Sequence, residues 1–222
     1  KIIRENFHKS YLFFFIINIS NILMNYLILI RHGQSEWNQQ KRFTGWVDVK
    51  LTDKGKIEAK KAGELIKEKK IKLNSFYSSY QKRANDTLKI VMKELNEDEN
   101  LIIKKWQLNE RHYGELTGLN KEDMKKKYGE EKIHQFRRSW DIKPGALNKK
   151  SPYHPLNIET YKDIPVSDIP DSESLKETHK RVVDCYNEHI LKDLKNRKVV
   201  CISAHGNSLR ALCKYLFKIN EK

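Results

Sequence analysis

Leu27-Ile28-Leu29-Ile30-Arg31-His32-Gly33-Gln34-Ser35-Glu36-Trp37-Asn38 runs through four apolar residues and then breaks into an arginine, a histidine and a glycine. A short continuous apolar run of this kind reads as a buried strand. In an open α/β sheet the ligand sits beyond the carboxyl ends of the strands. His32, beside the fixed charge of Arg31, is therefore placed to meet an anion. The pattern recurs late in the chain. Val199-Val200-Cys201-Ile202-Ser203-Ala204 is a second buried run, and it ends in His205-Gly206-Asn207-Ser208 ahead of a helical pattern. Two strands that each deliver a histidine and a glycine to one sheet edge read as one site.

Strand and helix patterns alternate between these two runs. Thr52 can cap a helix whose apolar face (Ile57, Ala62, Leu65, Ile66) continues to about residue 70. Residues 76–79 read as a short strand, followed by a helix with Ala84, Leu88, Val91 and Leu95 on one stripe and Arg83 in its first turn. A third strand is expected at 101–103, with a polar loop from Asn109 to Gly114 after it. Asn120 caps a lysine-rich helix that stops at Gly129, and a further helical stretch, 130–140, carries Arg137 and Arg138. All five prolines fall within residues 141–171, which read as a long surface excursion. Such loops in a domain of this size are usually lids or mobile segments. Ser174-Leu175-Lys176-Glu177 is a capping box opening a helix to about residue 191, and residues 209–216 form the last helix. This alternation predicts a three-layer α/β fold, with a mostly parallel sheet and helices on both faces.

The chain has 222 residues, 38% of them hydrophobic, enough for one sizeable core. Its net charge of +15 invites a nucleic-acid reading. The excess is mostly lysine on solvated faces such as 67–72 and 125–127, and no basic motif interleaved with aromatics occurs, so no nucleic-acid partner is expected. The arginines are more informative, because their planar fork suits phosphate and carboxylate. Cys185, Cys201 and Cys213 are odd in number and lack paired spacing, which argues against a disulfide framework or metal site and for a reducing, cytoplasmic compartment. Residues 11–17 are strongly apolar, yet Asn18, Ser20, Asn21 and Asn25 interrupt the run and no small-residue cleavage site is evident. Residues 1–23 are read as an extension before a domain that occupies 24–222 from Met24. A targeting or membrane segment is the alternative.

The candidate site gathers Arg31, His32 and Asn38 from the first strand end, Arg83 from the second, Glu110 and Arg111 from the third, and His205 from the last. A neutral imidazole can attack phosphorus and form a phosphohistidine. Arginines and a second histidine would oppose the charge of the transferring group. Gly206 and Asn207 begin a helix, where free N–H groups favour phosphate. Glu110, the one carboxylate of the set, suits proton transfer to and from a hydroxyl. A zinc site on His32 and His205 lacks a third ligand at suitable spacing, and the arginines would repel the cation, so no metal is expected.

Residues 29–38 are similar to the signature of the histidine phosphatase superfamily. Arg42-Phe43-Thr44-Gly45-Trp46, Leu108-Asn109-Glu110-Arg111-His112-Tyr113-Gly114, Gly118-Leu119-Asn120-Lys121 and Ala204-His205-Gly206-Asn207-Ser208-Leu209-Arg210-Ala211-Leu212 narrow this. Together they resemble the cofactor-dependent phosphoglycerate mutases, the branch that uses 2,3-bisphosphoglycerate, from about Met24 to Lys222. The resemblance implies that His32 is phosphorylated in turnover, that Glu110 donates and accepts the proton, and that His205 assists at the transferring group. It implies that Arg31, Ser35, Asn38, Arg83, Gly206 and Asn207 contact that group or its surroundings. Thr44, Gly45, Arg111, Tyr113, Lys121, Arg137 and Arg138 would hold the substrate's carboxylate and second phosphate. It further implies interconversion of 3-phosphoglycerate and 2-phosphoglycerate in glycolysis, a 2,3-bisphosphoglycerate primer without a metal, a small anionic phosphorylated substrate, and a homodimer or tetramer. A histidine-type phosphatase is the alternative within the superfamily, and a non-catalytic, membrane-tethered relative is the alternative outside enzymes.

The chain departs from that pattern in its first 23 residues and in 143–171, where only Ser172-Glu173-Ser174-Leu175-Lys176 matches well. Members of the family also continue beyond the position of Lys222 through another strand and a mobile tail. An unpaired sheet edge, weak support for one side of the strand before His205, and a site open to water are expected on that ground.

Overall fold

Leu27, Ile28, Leu29 and Ile30 are all wholly buried. Side chains alternate across a strand, so a continuous apolar run demands cover on both faces. In the computed structural model this is met by β3 (Tyr26–Arg31), one strand of a six-stranded sheet. The structure describes residues 2–6, 13–18, 26–196 and 198–220, with the first two stretches described by backbone alone. The sheet contains β1 (Ile2–Asn6), β2 (Phe13–Asn18), β3, β4 (Ser75–Ser78), β5 (Ile102–Lys104) and β6 (Val200–Ala204), in the order β1-β2-β3-β6-β4-β5. The four strands β3, β6, β4 and β5 are parallel, as an α/β sheet requires.

Helices cover both faces. On one, α2 (Asp53–Glu68) and α3 (Lys82–Glu94) pack Ala62, Ile66, Leu88, Val91 and Met92 against Ile28, Ile30, Phe76 and Cys201. On the other, α6 (Leu175–Cys185), the π-helical turn Tyr186–Ile190, α7 (Leu191–Lys195) and α8 (Gly206–Leu216) enclose Leu27, Leu29, Tyr77, Val200 and Ile202. The short α1 (Glu36–Gln39) follows β3 directly. A smaller cluster, Phe43, Leu116 and Ile133, seats α4 (Lys121–Tyr128) and α5 (Glu130–Arg138). Gly129 separates these two helices at φ 85°, a left-handed conformation that costs other residues strain.

Three expectations need correction. The strand before His205 is not weakly supported: β6 lies inside the sheet, paired with β3 on one side and β4 on the other. The outer edge of β3 is paired as well, because β2 adds antiparallel to it with Phe14 opposite Ile30 and Asn18 opposite Tyr26. Backbone donors and acceptors along an edge strand are a template for such addition. β1 and β2 fall within residues 1–23, while Met24, Lys222 and the remainder of 1–23 lie outside the described residues. Finally, residues 141–171 are more than a surface excursion, since His154, Pro155, Tyr161 and Ile164 are buried, the last two against Trp46. Among the described residues no helix is long and apolar enough to cross a membrane.

Ile202 is wholly buried in the strand that carries His205. Ile202→Ala should destabilise the protein by about 2–5 kcal/mol through lost burial and the cavity left behind. The check is the urea unfolding midpoint at unchanged slope, and a loss below about 1 kcal/mol would contradict this packing.

Candidate active site

Parallel pairing of β3 with β6 sets Arg31 opposite Ala204, and the His32 N–H donates to the Ala204 carbonyl at 3.0 Å. The next residues of the two strands, His32 and His205, therefore stand together, with ring centroids 5.0 Å apart at 58°. The turn after His32 is tight. A Cβ on Gly33 would fall 2.1 Å from the Gly55 carbonyl oxygen, so the entry to α2 can lie against it only while glycine is there.

His32 Nδ1 lies 2.7 Å from the Gly33 carbonyl oxygen and donates to it. That tautomer leaves a lone pair on Nε2, which accepts from Arg83 Nε at 3.3 Å. Burial, then the charges of Arg83 and Arg31, hold the His32 pKa well below the ordinary histidine value. The ring is thus neutral and oriented, with its lone pair on Nε2. His205 is wholly buried, with Nε2 2.8 Å from Ser79 Oγ, and burial followed by Arg83 and His32 lowers its pKa likewise.

Arg83 enters from the first turn of α3 and is pinned without being neutralised: Nη1 donates to Val47 O and Nη2 to Gly45 O, both at 2.9 Å. Asn38 lies on α1, where Ser35 is the N-cap: Ser35 Oγ accepts the Asn38 N–H, and the Ser35 N–H donates to Asn38 Oδ1. Glu110 follows a 3-10 turn, Trp106–Leu108. Its Oε1 accepts the Arg111 N–H at 2.8 Å and the Asn207 N–H at 3.2 Å, and Oε2 has no protein donor among the described residues. Asn207 Nδ2 donates to the Tyr113 hydroxyl at 3.0 Å. Lys121 Nζ donates to Arg42 O at 2.7 Å, and burial, Arg137 and Arg31 pull its pKa down to about 8.

These groups surround a cavity of about 400 Å³. Its wall includes Arg31, His32, Asn38, Thr44, Gly45 and Arg83 on one side of the chain order, and Glu110, Tyr113, Lys121, Arg137, Arg138, Gly206 and Asn207 on the other. Three expected residues lie outside that wall. Ser35 is consumed in capping α1, and His205 backs His32 from within the core. Arg111 is buried behind Tyr113, its guanidinium 4.8 Å from that ring and Nη2 donating to Phe136 O. Conversely, Leu209, Arg210 and Cys213 of α8 line the cavity without having been singled out from sequence. The spacing could have found Arg210, because it follows Asn207 by three residues and shares its helix face. Six cations (Arg31, Arg83, Lys121, Arg137, Arg138, Arg210) thus face a single carboxylate, Glu110. Such a site selects a small molecule bearing several negative charges. Among the described residues no cluster of three or more metal-ligating side chains occurs.

The buried histidines couple the site to stability. His32, His205 and His112, the last lowered to about 3 by burial, stay neutral in the folded protein, whereas an unfolded chain protonates near 6.5. Stability is thus fully present above 6.5 and is lost as pH falls below it. Between pH 7.5 and 5.5 the unfolding free energy should therefore drop, on the order of a few kcal/mol. Equal urea midpoints at the two pH values would show that the rings are not buried neutral.

The sequence pattern of the histidine phosphatase superfamily (branch 1) matches residues 27–222. The chain is 63% identical over 199 residues to a 2,3-bisphosphoglycerate-dependent phosphoglycerate mutase of Pelagibacter ubique, covering 90% of this chain and 83% of that one. It is 46% identical over 196 residues to the protein of the same name in Borreliella burgdorferi, covering 88% and 79%. A solved mycobacterial glucosyl-3-phosphoglycerate phosphatase, complexed with VO3, superposes with a TM-score of 0.67 at 21% identity, covering 88% and 83%. That last likeness shows the fold.

Proposed function

The chain belongs to the histidine phosphatase superfamily (branch 1), and from that premise we propose that it interconverts 3-phosphoglycerate and 2-phosphoglycerate, the glycolytic isomerisation, with His32 as the phosphoryl carrier. One observation carries the reading: a neutral His32 Nε2, aimed by Gly33 and Arg83, opens on a cavity with six cations and one carboxylate. The name of the relatives implies 2,3-bisphosphoglycerate as primer. The cation excess fits it, as does Thr44 Oγ1, which is buried in the wall without a protein partner among the described residues. When bound, the primer supplies the phosphoryl group that charges His32.

Charged His32 first gives its phosphoryl group to the bound monophosphoglycerate: the free glycerate hydroxyl attacks the phosphorus, its proton passes to Glu110 Oε2, and the N–P electron pair returns to His32 Nε2. In the return step Nε2 attacks the phosphorus of the other ester. As the new N–P bond forms, that P–O bond breaks, and the departing oxygen takes the electron pair and the proton from Glu110, which leaves the isomeric monophosphoglycerate and a recharged His32. Arg31 and Arg83 oppose charge on the transferring group, with help from the amino terminus of α8. His205 keeps the His32 ring in place and adds no charge. Lys121, Arg137, Arg138 and Arg210 form a second cationic cluster suited to the carboxylate and the other phosphate. Simple phosphate release would not require that cluster, so the observation favours a mutase over a phosphatase, and a cavity that gathers His32, Glu110 and six cations favours an enzyme over a non-catalytic relative. A cytoplasmic location and assembly as a homodimer or tetramer belong to the same proposal.

His32→Ala should abolish both turnover and the acid-labile phosphate acquired from 2,3-bisphosphoglycerate. Glu110→Gln should still acquire phosphate while turnover slows by about 10²–10⁴-fold. Inorganic phosphate as the main product from 3-phosphoglycerate would overturn the mutase reading.

Lys121 carries its charge below about 8 and loses it above, in a setting that also includes Arg137, Arg31, Glu110 and Glu122. KM for 3-phosphoglycerate should rise as pH passes 8, and Lys121→Gln should raise KM at neutral pH and flatten that rise. An unchanged rise in the variant would assign it to another group.

A further inference from the structure

Ser172-Glu173-Ser174-Leu175-Lys176 closes the long irregular stretch 141–171, and the chemistry above uses none of it. Glu173 and Arg181 are both buried, and neither lines the cavity. All five N–H donors of the Arg181 guanidinium are engaged. Two hold Glu173, Nε to Oε1 at 2.7 Å and Nη2 to Oε2 at 2.9 Å. The other three hold main-chain carbonyls of one loop: Nη1 reaches Gln107 O at 2.6 Å and Asn109 O at 2.9 Å, and Nη2 reaches Glu110 O at 3.0 Å. Glu173 grips the far side of the same loop. Its Oε2 accepts the His112 N–H at 2.8 Å, and its own N–H donates to His112 O at 3.0 Å.

We infer that Glu173 and Arg181 are positioning residues that fix the main chain on both sides of Glu110 and so aim its carboxylate at the phosphoryl site. Residues 109–113 belong to no helix or strand, so no ladder of their own orients them. A buried ion pair is a poor source of stability compared with apolar packing. A guanidinium, however, is a rigid planar fork that sets the directions of several acceptors at once, which a lysine cannot do. The Glu110 carboxylate inherits this order, because Oε1 is held by the N–H of Arg111, the next residue in the clamped loop. A misplacement on the order of 1 Å at a reacting group can cost ~10²-fold in rate.

The inference rests on Glu110 being the proton-transfer group, and a double-variant cycle separates the two ideas. Mutase kcat and KM, together with phosphate acquisition by His32, are measured for Arg181→Lys, Glu110→Gln and the pair. Arg181→Lys should lower kcat by about 10–100-fold with KM for 3-phosphoglycerate within about threefold. Added to Glu110→Gln it should cost less than about twofold more, since a carboxylate that is gone cannot be misaimed. Losses that multiply in the pair, or an unchanged kcat in Arg181→Lys, overturn the clamp. A Glu110→Gln protein that turns over like its parent overturns the role of Glu110 itself. Glu173→Gln, equal in size, runs the same cycle if Arg181→Lys does not fold. In the unsubstituted protein, the His112 amide should exchange hydrogen only on global unfolding, and exchange at the rate of an open loop overturns the clamp without any substitution.

Discussion

The parallel register of β3 on β6 is the constraint on which the rest depends. Each strand is buried on both faces, so neither can slip without moving an apolar set against the wrong helices. Fixing Leu27 opposite Val200 fixes Arg31 opposite Ala204, and the residues that follow are the two histidines. The imidazoles meet because the core leaves the strands no other alignment. The packing of Leu27, Ile28, Leu29 and Ile30 thus also places the His32 ring.

A second constraint is electrostatic. Six cations around one cavity repel one another, and carboxylates would be the cheapest way to hold them. The structure uses main-chain carbonyls instead: Gly45 and Val47 for Arg83, Arg42 for Lys121, and Phe136 for the nearby Arg111. A carbonyl fixes direction while leaving the full positive charge available to a ligand. The consequence appears in Lys121, whose ammonium is destabilised by burial and by its cationic neighbours until an anion arrives. Burial first, and then the same field, keep His32 and His205 neutral, so the charge distribution that suits an anion also helps to hold the two rings uncharged.

Proton transfer needs an acid close to that field, and Glu110 is the exception the site admits. It is carried on irregular backbone between β5 and α4, where positions are easily lost. The buried Glu173–Arg181 pair and the Gln81 side chain, which accepts the Glu110 N–H, converge on that backbone, and the Asn207 N–H holds the Glu110 carboxylate itself. The part of this loop held by the most partners is thus the part that carries Glu110.

Much of this was legible without coordinates. The two apolar runs ending in His-Gly named the sheet, its parallel sense and the edge where chemistry sits, because strand periodicity and the geometry of α/β sheets are local and general facts. His32, Arg31, Arg83 and Glu110 could be named from their places at or just after the strand ends, and Arg137 and Arg138 from the resemblance of the surrounding motifs. Tertiary structure alone decided which groups face the ligand. It turned Ser35 into a helix cap, put Arg111 behind Tyr113 and His205 behind His32, and brought Arg210 and Cys213 of α8 into the wall. It also seated β2 on the open edge of β3, and buried Tyr161 and His154 from a stretch that reads as surface. The division has a physical cause. Which strand a residue ends and what charge it carries are properties of its own short segment. Which way its side chain points, and whether the second half of an ion pair waits there, depend on segments tens of residues away.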